Sequence, residues 1–127
     1  MTMILAISGS LRGASLNSAL IQALRRVAPA DIEVSIYDRL DELPFFNPDL
    51  DGDFPALAVA QFRGAVHACD AVVISSPEYA HGVPGVLKNA LDWVVGSGEF
   101  VEKPVALVNA SARATHAWNS LLETLTV

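Results

Sequence analysis

Ser-Gly-Ser-Leu-Arg-Gly-Ala-Ser-Leu-Asn, residues 8–17, is the stretch from which the fold prediction starts. It follows the apolar run 3–7 and precedes a segment with helical periodicity. A strand that ends in such a loop and then enters a helix is suited to bind a phosphate, because backbone N–H groups and the helix dipole favour an anion there. The hydroxyls of Ser8, Ser10 and Ser15 and the guanidinium of Arg12 add further donors. A polar strand-to-helix turn without a ligand is the alternative.

Composition limits the kind of protein that this chain can be. Its 127 residues are 52% hydrophobic and 17% charged, which indicates a single domain over residues 1–127. A formal net charge of −6 argues against nucleic acid as a partner. No apolar run approaches about 18 residues, so we expect no membrane span. The apolar N-terminal run is short and lacks a basic leader, so we expect a cytoplasmic protein. Cys69 is expected to be a buried small hydrophobe.

The hydrophobic pattern predicts four strands that alternate with four helices. The predicted strands are residues 3–7, 32–37, 71–74 and 105–108, and the predicted helices are 17–28, 55–70, 84–96 and 115–125. This alternation predicts a parallel sheet with helices on both faces. The second strand alternates strictly between apolar and polar residues, which places it at the sheet edge. The other three strands are unbroken apolar runs, expected to be buried.

Three polar loops follow predicted strands one, three and four: residues 8–16, 75–82 and 109–114. In open α/β sheets the ligand binds at the carboxyl ends of the strands, where the strand order reverses. The three loops are therefore expected to converge on one site, which favours the phosphate interpretation of the first loop.

Residues 38–55 form a long predicted surface loop with several prolines and six acidic residues. A loop of this length in a compact domain is either functional or mobile. Leu43, Phe45 and Phe46 are expected to anchor it to the core or to a partner subunit. The acidic run is expected to be a solvated face.

The sequence lacks the catalytic and nucleotide-binding motifs of several common enzyme classes. The chain lacks the Gly-x-Gly-x-x-Gly turn of dinucleotide-binding folds, although Asp38 stands at the end of the second strand, where a ribose-binding acid would be expected. It also lacks the Walker loop of nucleoside triphosphatases and the Gly-x-Ser-x-Gly nucleophile elbow of hydrolases. The histidines have no metal-binding spacing: His67 and His116 are expected on helix surfaces, and His81 lies in a candidate site loop. Glu78 is the single acid in those loops, so we expect a bound cofactor to carry the chemistry.

Two stretches resemble the NADPH-dependent FMN reductase family. Residues 9–17 are similar to its phosphate loop, Gly-Ser-Leu-Arg-x-x-Ser-x-Asn, and residues 77–93 to its segment Pro-Glu-Tyr-x-x-x-x-Pro-Gly-x-Leu-Lys-Asn-Ala-x-Asp-Trp. The resemblance implies a flavodoxin-like, three-layer, doubly wound parallel sheet with strand order 2-1-3-4-5. It also implies an oxidoreductase that passes electrons from NADPH or NADH through FMN to quinone, flavin, azo or metal-oxyanion acceptors.

The resemblance also assigns roles to residues. It implies that five residues of the first loop hold the phosphate and ribityl end of FMN: Ser10, Arg12, Ser15, Leu16 and Asn17. It implies that the second loop lines the flavin ring through Pro77, Glu78, Tyr79 and Ala80, and that Ser111 approaches its pyrimidine side. No catalytic side chain and no metal are required. Four residues that follow are expected to be structural or interfacial: Lys88, Asn89, Asp92 and Trp93.

The resemblance further implies a homodimer or homotetramer formed through helices near the flavin. Family members usually continue beyond the position of Val127, so we expect a C-terminal strand and helix to be missing. Two alternatives remain open at this stage. One is a flavodoxin-type FMN electron carrier without NADPH turnover, and the other is a non-enzymatic subunit that keeps the fold without the cofactor.

Overall fold

Four strands and three longer helices make up most of the regular structure in the computed structural model. The model describes residues 1–9, 16–76, 83–108, 119–120 and 123–125. The strands are β1 (Thr2–Ser8), β2 (Ile32–Tyr37), β3 (Ala71–Ser75) and β4 (Val105–Val108). The helices are α1 (Leu16–Val27), α2 (Leu57–Ala68) and α3 (Gly85–Val95), and the β2–α2 loop contains the 3-10 turns Leu40–Glu42 and Pro48–Leu50. Residues 119–120 and 123–125 are helical, within the predicted fourth helix.

The sheet is parallel throughout, with the order β2-β1-β3-β4. The predicted strand order 2-1-3-4 and the edge position of β2 are confirmed. From β1 the chain crosses to β2 on one side of β1. It then crosses back past β1 to β3 and continues in that direction to β4. Because such crossovers are right-handed, α1 covers one face of the sheet, and α2 and α3 cover the other. The predicted three layers follow from this arrangement.

The helix starts differ from the prediction at two prolines. Pro55 was expected at the first position of α2, but the helix begins at Leu57 and its N-cap is Ala56, whose ψ of 147° is extended. Pro84 is the N-cap of α3, with ψ of 139°, and is not its first helical residue. Each proline therefore lies just before a helix and not in its first turn. No helix of the described residues is long and apolar enough to cross a bilayer.

The core lies mainly between the sheet and the α2–α3 layer. Ile7, Val72 and Ile74 have no exposed surface, which confirms that β1 and β3 are buried strands. The burial expected for β4 is wrong in part, because Ala106 is exposed and its neighbours are half-buried. Among the described residues β4 pairs on one side only, with β3, so its apolar composition does not make it a central strand.

Residues in and beside α2 behave largely as predicted. Cys69 is buried, and its Sγ donates to the carbonyl of Val66 at 3.1 Å, which confirms its role as a small core residue. His67 is exposed on the helix surface, as expected. His81 and His116 lie outside the described residues.

The β2–α2 loop is only partly a solvated face. Leu43 is buried, and the ring of Phe46 packs edge-on against Trp93 with 4.9 Å between centroids, so both anchor the loop to the core. Phe45 does not, because its side chain is 92% exposed. The acidic run also has an exception, since the carboxylate of Asp51 pairs with Arg63 at 2.9 Å.

Lys103 links the segment before β4 to the end of α2. Its Nζ donates to the carbonyl oxygens of Val66 and Cys69, each at 2.6 Å. The last carbonyls of a helix lack partners within the helix and carry its negative dipole end, so an ammonium group stabilises them. Lys103 thereby holds the start of β4 beneath α2.

Replacement of this ammonium group should cost stability. We expect Lys103→Met to lower the free energy of unfolding by about 1–3 kcal/mol, because it removes charge-assisted bonds to half-buried carbonyls. Lys88→Met is the matched control. It removes an exposed i,i+4 pair with Asp92 and should cost no more than about 0.5 kcal/mol. Equal losses in urea unfolding of the two variants would contradict the capping role.

Candidate active site

Three strands of the sheet end at the same level. Ser8 of β1 pairs in register with Ser75 of β3, and Ser75 pairs with Val108 of β4. Beyond the end of β1, the N–H of Gly9 donates to the carbonyl of Ser75 at 2.8 Å. The three predicted site loops therefore leave the sheet side by side. The boundary between β1 and β3 is where the strand order reverses, which is the position at which doubly wound sheets bind ligands.

Most predicted site residues lie outside the described part of the chain. These are Ser10, Arg12, Ser15, Pro77, Glu78, Tyr79, Ala80 and Ser111. Leu16 and Asn17 are placed by their backbone in the first turn of α1, where amide N–H groups lack partners within the helix. The structure thus describes the strands that precede all three loops and the helices that follow the first two.

The first turn of α1 is joined to the end of β1. The hydroxyl oxygens of Ser8 and Ser18 lie 3.2 Å apart, within hydrogen-bonding distance. Ile21 on the next turn is buried, and α1 packs against β1 and its neighbours. The first turn carries no acidic side chain, and Arg25 and Arg26 stand at the opposite end. The N–H groups at the start of α1, which lack partners within the helix, therefore lie beside the strand ends, and that turn carries no acidic side chain to repel an anion.

Buried hydroxyls lie at the end of β3. Ser75 is 0% and Ser76 6% exposed, in a core that is otherwise apolar. Together with Ser8, they place three hydroxyl side chains at the carboxyl ends of β1 and β3. Ser8 is among the hydroxyls expected to donate to an anion, whereas Ser75 was not anticipated, although a hydroxyl that ends an apolar strand was a usable signal.

Asn89 and Trp93 of α3 hold the β2–α2 loop. The side-chain amide of Asn89 accepts from the N–H of Phe46 at 2.7 Å and donates to the carbonyl of Pro44 at 2.9 Å. The indole Nε1 of Trp93 donates to the same carbonyl at 2.8 Å. Lys88 and Asp92 form an exposed pair on the helix at 2.6 Å. The contacts of Asn89 and Trp93 agree with the structural role expected of them, whereas a structural or interfacial role for Lys88 and Asp92 stays a prediction.

Arg63 was not anticipated by the sequence analysis. Its Nε and Nη2 donate to the carbonyl of Trp93 at 2.9 and 2.6 Å, and Nη2 also donates to Asp51 at 2.9 Å. It therefore caps the C-terminal end of α3 and ties α2, α3 and the β2–α2 loop together. No local pattern signals such a contact, because Arg63 and Trp93 are 30 residues apart.

Tyr37 closes the end of the edge strand β2. Burial raises the pKa of its phenol, and the guanidinium of Arg39, 5.1 Å from the ring centroid, opposes that effect. The ring of Phe62 lies 5.1 Å away. Tyr37 therefore stays protonated at neutral pH and serves as a core residue. The described residues include no group of three or more His, Cys, Asp or Glu side chains that could hold a metal ion.

The contact between Asn89 and the loop can be tested locally. We expect Asn89→Ala to lower the free energy of unfolding by about 1–3 kcal/mol, because it removes partners of two half-buried peptide groups. Hydrogen exchange at the Phe46 amide should accelerate in this variant and stay unchanged in the neighbouring control, Lys88→Ala. Equal protection of that amide in both variants would show that Asn89 does not hold the loop.

Comparison with known proteins agrees with this architecture. The family model described as NADPH-dependent FMN reductase matches residues 2–127. An NAD(P)H-dependent FMN reductase of Pseudomonas aeruginosa is 40% identical over 112 residues, which cover 86% of this chain and 60% of that protein. A 2-hydroxy-1,4-benzoquinone reductase of a Burkholderia species is 40% identical over 109 residues, covering 84% of this chain and 58% of that one. The chain therefore spans about three fifths of the length of these curated relatives.

Solved structures give the same result. The flavoenzyme NAD(P)H:(acceptor) oxidoreductase FerB from Paracoccus denitrificans superposes with a TM-score of 0.87 at 31% identity, over 99% of this chain and 71% of that one. An azoreductase of Bacillus anthracis, at 20% identity and a TM-score of 0.72, shares the fold over 99% of this chain and 81% of its own. The chain belongs to the NADPH-dependent FMN reductase family and has its flavodoxin-like fold.

Proposed function

We propose that this chain is an FMN-dependent NAD(P)H oxidoreductase, folded as one domain over residues 1–127. The observation that carries the proposal is the common level at which β1, β3 and β4 end, beside the first turn of α1. That arrangement would bring the three polar loops to one place, and family membership supports FMN as the ligand.

The residues of the first loop suit the phosphate end of FMN. The hydroxyls of Ser10 and Ser15 and the guanidinium of Arg12 would bind the phosphate together with the backbone N–H groups of Leu16 and Asn17. The joined hydroxyls of Ser8 and Ser18 hold the strand and the helix on either side of this loop. A dianionic phosphate would therefore be bound by several hydrogen-bond donors and by the positive charge of Arg12.

The second and third loops suit the flavin ring. Pro77, Glu78, Tyr79 and Ala80 would present backbone donors and the ring of Tyr79 to the planar isoalloxazine, and Ser111 would approach its pyrimidine side. FMN supplies the electron transfer when it is bound, so the chain needs to bind and orient it and to admit NAD(P)H. The absence of an acid–base pair from the sequence of these loops is consistent with that division of roles.

Quinones are the acceptors best supported for this site. One relative, 40% identical to the chain, is named 2-hydroxy-1,4-benzoquinone reductase. Another, 37% identical, is named quinone reductase. Flavin, azo compounds and metal oxyanions are further acceptors of the kind expected from the resemblance. A net charge of −6 is unfavourable for nucleic acid as a partner.

The central test is spectroscopic. The purified chain, supplied with FMN and freed of excess, should show the visible absorbance of bound flavin, and NADPH or NADH added without oxygen should bleach it. A chain that takes up no FMN contradicts the proposal. Bound flavin that neither nucleotide bleaches would favour the electron-carrier alternative.

The phosphate contacts have their own test. We expect the double variant Arg12→Ala/Ser15→Ala to raise the Kd for FMN at least about tenfold, because one lost charge-assisted bond is worth about 1.5 kcal/mol or more. The control Arg25→Ala removes a cation at the other end of α1, where its partner is Gln22 at 3.0 Å, and should leave the Kd unchanged. An unaltered Kd in the double variant would place the phosphate elsewhere.

A further inference from the structure

Arg39 lies just beyond the end of the edge strand β2. That strand ends at Tyr37, which pairs in register with Ile7 of β1. The same register continued by two residues brings Arg39 to the level of Gly9, in the loop proposed to bind the FMN phosphate. Neighbouring strands are about 4.8 Å apart, so the backbone of Arg39 lies roughly 5–10 Å from the start of that loop. Arg39 therefore stands at the carboxyl edge of the sheet.

Two neutral side chains hold the guanidinium of Arg39. Its Nη1 donates to Oε1 of Gln61 at 3.3 Å, and its Cζ lies 5.1 Å from the centroid of the Tyr37 ring. The residue is exposed, and it forms no ion pair with a carboxylate of the described residues. Because a guanidinium has five N–H donors, a ligand can accept two of them without displacing Gln61.

The other described cations are placed differently. Arg63 and Lys88 each pair with an aspartate, and Lys103 is bound by helix carbonyls. The two arginines of α1 lie in its last turn, at the opposite edge of the sheet. Within the described ranges, Arg39 is therefore the cation at the carboxyl edge that no carboxylate pairs with.

An exposed arginine in this position suits a phosphate ligand. A planar guanidinium binds a phosphate through two parallel N–H bonds, and its charge strengthens both of them. The net charge of −6 repels anions, so a phosphate at this edge needs a local cation. The position is analogous to that of the arginine near the second strand that accommodates the 2′-phosphate in dinucleotide-binding doubly wound folds.

The strand order indicates where a dinucleotide would lie. In the proposed function, the flavin ring lies at the loops after β3 and β4, and the FMN phosphate lies at the loop after β1. The order β2-β1-β3-β4 makes the end of β2 the next position along that edge. A dinucleotide whose nicotinamide stacks on the flavin ring can therefore extend its adenosine half towards Arg39.

We propose that Arg39 binds the 2′-phosphate of NADPH and so makes the enzyme prefer NADPH over NADH. This inference rests on the proposed function and adds the identity of the electron donor to it. NADH lacks the 2′-phosphate, so Arg39 contributes little to its binding. Gln61 and Tyr37 act as positioning residues, because they hold the guanidinium at the edge of the sheet.

The first test is kinetic and uses the FMN-loaded protein. The wild type should have a kcat/KM for NADPH at least about tenfold above that for NADH. Arg39→Gln should raise the KM for NADPH at least about tenfold and leave kcat and the KM for NADH unchanged, because only NADPH loses a charge-assisted pair. Arg39→Lys should lose less, since it keeps the cation but not the two parallel N–H bonds.

Arg26→Gln is the matched control for this test. It removes an exposed arginine at the far end of α1, at the opposite edge of the sheet, and should leave every constant at its wild-type value. Unchanged turnover of NADH also shows that Arg39→Gln is folded and holds FMN.

The second test measures binding without turnover. Adenosine 2′,5′-bisphosphate carries the 2′-phosphate, and AMP lacks it. In isothermal titration calorimetry of the FMN-loaded protein, the Kd of the bisphosphate should be at least about tenfold higher for Arg39→Gln than for the wild type. The Kd of AMP should be the same for both proteins.

Four results would overturn the inference: a wild type that uses NADH as well as NADPH, an Arg39→Gln variant that keeps the preference for NADPH, equal losses with both nucleotides, or a raised Kd for FMN in that variant. The third result would assign Arg39 to a phosphate that both nucleotides share, and the fourth to the phosphate of FMN. A wild type that binds no FMN, or whose FMN neither nucleotide reduces, would contradict the proposed function itself and this inference with it.

Discussion

The parallel pairing of β1 with β3 is the constraint on which the rest of the structure depends. It places the two most buried strands side by side and continues past β1 through the bond from Gly9 to Ser75. Because β2 and β4 add to opposite sides of this pair, the strand order reverses between β1 and β3. The first turn of α1 and the approach to α3 both begin at that edge, so this pairing sets where the loops after β1 and β3 leave the sheet.

Helix α3 has a second function besides covering the sheet. One side contributes the buried side chains of Leu87 and Leu91 to the core, and the other presents Asn89 and Trp93 to the β2–α2 loop. Arg63 then caps its last turn through the carbonyl of Trp93. These contacts account for Leu87, Asn89, Leu91 and Trp93 in the sequence signature by core packing and by support of the β2–α2 loop.

Local sequence patterns predict much of this fold, and the remainder depends on contacts between residues that are distant in the sequence. Alternation in β2 predicted its edge position, and apolar runs predicted the bounds of β1 and β3 closely. The same rule failed for β4, because an edge strand and a central strand can share the composition of Val105–Val108. Phe45 and Phe46 are identical in the sequence, and their opposite orientations arise from Asn89, more than 40 residues away. The residues proposed to bind FMN were predicted from motifs and lie mostly outside the described residues, whereas the buried hydroxyl of Ser75 needed the strand register.

The most direct test of this account is the change in backbone amide NMR shifts when FMN is added to the chain. The account predicts changes at the carboxyl ends of the strands and at the start of α1, at Gly9, Leu16, Ser76 and Val108. It predicts none at residues 98–104, which lie before β4 at the opposite edge of the sheet. Changes confined to residues 98–104, or none at all with excess FMN, would contradict it.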